Sequence, residues 1–125
     1  MNIKMTHYLY LAATIFFTVY GQLVLKWRMN QISGMPTEFF EKIRFLVFLI
    51  FDPWVFSGFF AAFLASLAWM AAISKLELSH AYPFMSLNFV IVLVLSGWIL
   101  HEPITFQKSL GVAFIVIGTI IVARV

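Results

Sequence analysis

Residues Trp54–Ile73 read WVFSGFFAAFLASLAWMAAI, twenty positions without a formal charge. Coiled as an α-helix, such a stretch rises about 30 Å, the thickness of a bilayer's hydrocarbon core. Three other stretches share this character. Met5–Leu25 carries no formal charge, and its polar groups include His7, threonines and Gln22. Ala81–Leu100 reads AYPFMSLNFVIVLVLSGWIL, with Ser86, Asn88 and Ser96 as its polar residues. Leu110–Ala123 is shorter, but Phe106 and Val125 extend it. Lys108 and Arg124 stand at its ends, and their long side chains can reach the headgroups. The pattern predicts an all-α integral membrane protein, a bundle of four transmembrane helices forming one membrane domain. The spans are expected near residues 5–27, 53–74, 81–101 and 106–124.

Composition excludes the competing classes. Of 125 residues, 63% are apolar and 10% charged, against about 25% charged in a soluble domain. A soluble fold this small could not hide 15 Phe, 4 Trp and 4 Tyr. There is no Cys, so neither a disulfide scaffold nor a thiolate metal site is available. The net charge of +3 is small and unclustered, which argues against nucleic-acid binding. The first apolar run is too long for a signal-peptide core, and no small-x-small site precedes Lys26-Trp27-Arg28, so it is expected to remain as a span.

Chemical markers punctuate the spans. Asp52-Pro53-Trp54 opens the second, with Asp as N-cap and Pro at the first helical position. Ala81-Tyr82-Pro83 is expected to open the third in the same way, and Glu102-Pro103 to close it. Tyr8, Tyr10, Trp27, Trp54, Tyr82 and Trp98 lie near span ends, as an aromatic belt does. Ser33-Gly34-Met35-Pro36 is a turn. The segment 37–51 carries Glu38, Glu41, Lys42 and Arg44, then a run of seven apolar residues. It reads as an extra amphipathic helix lying at the interface between spans one and two. The alternative is the first turns of a long second helix bent at Asp52-Pro53. If the termini share a side, Lys26, Arg28, Lys42, Arg44 and Lys108 fall on the other, against Lys4, Lys75 and Arg124. The positive-inside rule then places the loops after spans one and three in the cytoplasm. Five against three leaves dual insertion and the reversed topology open.

Catalysis finds no support. Glu38, Glu41, Asp52, Glu77 and Glu102 all avoid mid-span positions, and His7, His80 and His101 sit near span ends. No His/Glu pair has metal-ligand spacing, and neither a nucleophile elbow nor a P-loop occurs. No cofactor is implied. Transport or lipid handling is the better class.

The polar residues within spans carry the remaining signal, because polar groups in hydrocarbon find partners or line a cavity. Tyr10, Thr14, Thr18, Gln22 and Lys26 recur every four residues, one stripe of the first helix. They could line a cavity ending in Lys26 as a cationic anchor. Equally, Gln22 could bond a neighbouring helix while Lys26 snorkels. Tyr82, Ser86 and Phe89 share a side of the third span, with Met85 beside them and Asn88 further round. Cavity lining and helix-to-helix hydrogen bonding are both open there. Trp69, deep in the second span, reads as packing or as part of the same cavity. Gly111 and Gly118 lie two turns apart on one face of the fourth helix, where small residues permit close helix approach within the chain or across a dimer seam. A four-helix chain has little room for a central cavity, and many transporters combine two repeats, which favours the seam.

These residues resemble a known family. Tyr20-Gly21-Gln22 with Lys26 looks like the first helix of the small multidrug resistance superfamily, of the drug/metabolite transporter type. Residues 81–90 (AYPFMSLNFV), His101-Glu102-Pro103, Gly111-Val112-Ala113-Phe114-Ile115 and Gly118 are similar to the small subunits of the undecaprenyl-phosphate–aminoarabinose flippase of Gram-negative bacteria. The likeness is strong from Ala81 onward, moderate over the first helix and poor over 29–53. The drug exporters carry a membrane-embedded Glu three residues before a Gly. Here that Gly is Gly21 and the position is Thr18, which can neither carry a proton nor pair with a cationic drug.

The resemblance therefore implies the lipid-handling branch. The expected function is translocation of a polyprenyl phosphate bearing one sugar across a bacterial inner membrane, for modification of the cell envelope. Lys26 or Arg28 would bind the phosphate. Thr18, Gln22, Trp69, Tyr82, Ser86 and Asn88 would line the headgroup's path, with the polyprenyl chain left in the bilayer. Glu102 would pair with a basic residue or a sugar amine, or merely end its helix. The implied partners are the lipid-linked sugar, membrane lipid and a second subunit, either another copy or a paralogue. The resemblance raises the weight of the Gly111–Gly118 seam. Two other readings stand beside this one: a small-solute or drug exporter with another coupling residue, and a non-transporting partner of a membrane glycosyltransferase.

Overall fold

The charge-free run quoted first folds as one helix, α3, Pro53–Ile73. The computed structural model describes residues 3–32 and 34–124. Around α3 stand α1 (Ile3–Gln31), α2 (Phe39–Leu49), α4 (Leu78–Met85), α5 (Leu87–Ile99) and α6 (Phe106–Ala123), with no strand among the described residues. Four helical stretches are long and apolar enough to cross a membrane: Met5–Gln31, Pro53–Ile73, Leu78–Ile99 and Phe106–Ala123.

The tightest packing is between α1 and α3, and small residues make it. The buried positions of α3 are Val55, Gly58, Ala61, Ala65 and Ala72, a stripe at helical spacing. At the crossing, a methyl group on Gly21 would stand 3.0 Å from the Gly58 carbonyl oxygen, and one on Gly58 would meet Leu25 at 3.2 Å. The opposite face presents Phe56, Phe59, Phe60, Phe63, Leu67 and Met70, all exposed. Large apolar groups outside and small ones inside is the arrangement lipid permits and water does not. Leu11, Ala72 and Ala81 form a second buried node joining α1, α3 and α4, with Trp69 and Phe84 against it.

Asp52 fastens the start of α3. Its Oδ1 accepts from the amides of Trp54 and Val55 at 3.0 and 3.4 Å, so the predicted N-cap is formed. Its Oδ2 accepts from Arg28 Nε and Nη2 at 3.0 and 2.7 Å. Arg28 Nη1 also donates to Gln31 Oε1 at 2.8 Å. The guanidinium holds the Asp52 carboxyl below its ordinary pKa of 3.8. The segment before it forms a separate helix, α2, with no buried residue, ending in a turn ahead of Asp52.

The third crossing differs from its expected form. It begins at Leu78, with Glu77 at the N-cap, so Pro83 does not open the helix but lies inside α4. Proline cannot donate an amide to the preceding turn, and three residues later the helix breaks at Ser86 before resuming as α5. The break is hydrogen-bonded internally. The Pro83 carbonyl accepts from the Ser86 amide at 3.0 Å, from the Ser86 hydroxyl, and from Thr119 Oγ1 of α6 at 3.2 Å. The single Thr119 hydrogen is shared among alternatives, since Thr119 Oγ1 also lies 2.7 Å from the Ser86 hydroxyl and 2.9 Å from the Ile115 carbonyl. At its far end α5 stops at Ile99, earlier than Glu102-Pro103 suggests. His101 takes a positive φ of 58°, and the Glu102 amide turns back to the Ser96 carbonyl at 3.1 Å. Ile104 then folds onto Gly97, where no side chain would fit without its moving. Helix α6 packs against α4 and α5, and Thr119 is its one buried residue among those described.

Candidate functional site

A cavity of about 1320 Å³ runs between α1, α3, α4, α5 and α6. Alternation of the helices places α1's C-terminal end and the α5–α6 turn at one end of the bundle, and α4's start at the other. The cavity reaches from Ser79 near the start of α4 to Glu102, Gln107 and Lys108 at the α5–α6 turn. It therefore spans most of the bundle's depth.

Helix α1 contributes Thr14, Thr18 and Gln22, three residues of the stripe read from the sequence. Thr14 is buried and donates to the Tyr10 carbonyl at 2.8 Å. Thr18 occupies mid-depth, so that level carries a hydroxyl where a proton-coupled exporter would need a carboxylate. From α3 come Ser66 and Trp69. The Trp69 ring meets Tyr82 of α4 edge-on, with centroids 5.9 Å apart and planes at 78°. Both halves of the broken crossing line the cavity, through Tyr82, Met85 and Ser86 on one side of the break and Asn88 and Phe89 on the other.

Asn88 is the chemically informative member. Its Oδ1 is buried and has no hydrogen-bond partner among the described residues. An amide oxygen in a low-dielectric interior costs about 1–3 kcal/mol when unpaired. Such a group is retained where a ligand or water completes it.

The structure thus brings together Thr18, Gln22, Trp69, Tyr82, Ser86, Asn88 and Glu102 on one cavity, and Gly111 borders it too. It does not bring Lys26 or Arg28 there. Lys26 is exposed, one turn beyond Gln22 and outside the lining. Arg28 belongs to the Asp52 clamp. Gly118 also lies outside the lining, and nothing stands within 4 Å of the place where a methyl group would sit on either Gly111 or Gly118. Sequence reasoning missed Lys108 as a lining residue, having read it only as an end group. It also missed Thr119, whose one visible signal is a hydroxyl in the charge-free run of α6. No group of three or more His, Cys, Asp or Glu capable of holding a metal ion occurs among the described residues.

Three relatives are each described as a probable 4-amino-4-deoxy-L-arabinose-phosphoundecaprenol flippase subunit ArnE. The one from Aeromonas hydrophila is 32% identical over 101 residues, 81% of this chain and 82% of that protein. The Aeromonas salmonicida protein is 30% identical over 113 residues, 90% of this chain and 93% of its own. The Pseudomonas fluorescens protein is 27% identical over 107 residues, 86% and 88% of the two chains. No solved structure matches the chain. The model of the EamA-like transporter family matches residues 3–124, so this four-span bundle with its deep cavity takes its place as a member of that transporter family.

Proposed function

We propose that this chain is a subunit of a flippase that moves a polyprenyl-phosphate-linked sugar across the bacterial inner membrane, with 4-amino-4-deoxy-L-arabinose on undecaprenyl phosphate as the cargo named by its relatives. The observation carrying this reading is the deep, mainly apolar cavity along which Thr18, Gln22, Ser86 and Asn88 place polar groups, with an unpartnered Asn88 oxygen and no mid-depth carboxylate among the described residues. A sugar offers hydroxyls to Asn88, Gln22, Thr18 and Ser86, and a ring face to Trp69 and Tyr82. Glu102, at the α5–α6 end, suits an amine on the sugar. The polyprenyl chain stays in the bilayer, beside a cavity open between helices. The exposed helix α2 lies on the membrane surface next to this bundle. A second subunit, another copy or a paralogue, covers the open glycine face of α6 and closes the cavity along Gly111.

The test is reconstitution into vesicles, alone and with any small membrane subunit that co-purifies. A labelled polyprenyl-phosphate sugar should cross leaflets, and Asn88→Leu should slow it about tenfold, the worth of one good polar contact. Proton-driven uptake of organic cations without lipid movement would instead identify an exporter.

A further inference from the structure

The geometry points to Lys108 as the residue that binds the phosphate of the lipid-linked cargo. This rests on the flippase reading and assigns the contact that reading most needs. Five basic residues gather toward the α5–α6 end of the bundle: Lys26, Arg28, Lys42, Arg44 and Lys108. Of these, Lys108 alone lines the cavity among the described residues. Arg28, the better phosphate fork by chemistry, is committed to Asp52 at 2.7 Å and to Gln31. Arg44 lies over the Phe48 ring of α2, 5.7 Å from its centroid.

Lys108 is held in position yet keeps its charge available. Its amide donates to the Thr105 hydroxyl at 3.1 Å, so its backbone is fixed in the first turn of α6. Its Nζ donates to the Pro103 carbonyl at 3.3 Å, which orients the ammonium without neutralising it. No carboxylate lies within 4.0 Å of that Nζ among the described residues, although Glu102 lines the same mouth. An ammonium has three donors, so at least two remain for a ligand. An exposed ammonium at the mouth of the cavity can meet an anion as it arrives at the membrane surface. Its place at the cavity's mouth suits a lipid phosphate, with the chain in the membrane and the sugar entering the cavity beside Glu102.

The experiment measures binding of undecaprenyl phosphate against the uncharged undecaprenol, using the whole protein in a neutral detergent. The wild-type chain should prefer the phosphate by about tenfold or more, the strength of a charge-assisted contact. Lys108→Gln should bring the two lipids to near-equal binding, while Lys108→Arg and Lys26→Gln should keep the preference. The Lys108 side chain is exposed, so the variant should fold normally, and the Arg variant checks charge independently. A preference retained in Lys108→Gln, or abolished in Lys26→Gln, overturns the assignment. Displacement of the lipid by inorganic phosphate alone overturns the lipid half, leaving a free-anion site. A wild-type chain without any preference overturns the flippase reading itself.

Discussion

Asp52 divides its two oxygens between two tasks. One caps α3 and the other receives Arg28 from α1. Because the folded chain holds its carboxyl below the ordinary value of 3.8, the contribution is present above that value. It disappears as pH falls through the lower, folded pKa. The melting-temperature gap between wild type and Asp52→Asn should therefore be constant down to about pH 4 and close below it. A gap that widens on acidification would show the shift to have the wrong sign. Asn88 illustrates the opposite economy. Its amide oxygen does nothing for the fold, so Asn88→Leu should slow transport without lowering the melting temperature.

At the scale of elements, the α1–α3 contact is the firmest part of the bundle, since glycine and alanine let the two backbones approach. Gly58→Leu would press a side chain into Leu25 and the Gly21 carbonyl. Overpacking of this kind costs about 1–3 kcal/mol, and thermal melts in detergent should record it. Gly34, with a φ of 82° and open space around it, tests a different property, since any side chain there strains the backbone but meets no neighbour. The spans α1, α3 and α6 were legible in the sequence because length and charge depletion are local properties. The cap at Asp52 was legible for the same reason. The third crossing was legible as a span, but its break was not, because Pro-x-x-Ser permits either a helix start or a break. In the fold Thr119, thirty-six residues away, stands against the break, 3.2 Å from the Pro83 carbonyl. A partner that remote leaves no periodic trace.

For the whole molecule, the sequence displayed the polar stripe of α1 and the polar set around Ser86. It could not show that they face one cavity, since that depends on the rotation of each helix. Spacing alone extended the α1 stripe to Lys26, whereas the cation that meets the cavity comes from α6. Helix α6 touches its own chain through α4 and α5 and leaves Gly111 and Gly118 uncovered. Gly118→Trp should therefore leave the melting behaviour of the single chain unchanged and abolish crosslinking to a second subunit. Persistent crosslinking would locate the seam on another face.

Trp69 gives the chain an optical reporter. Among the four tryptophans it alone borders the cavity, while Trp27 and Trp54 stack edge-on elsewhere at 5.4 Å. Emission from indole tracks the polarity around it, so a protein keeping Trp69 and carrying Phe at the other three positions would signal cargo entry by colour, without any attached dye.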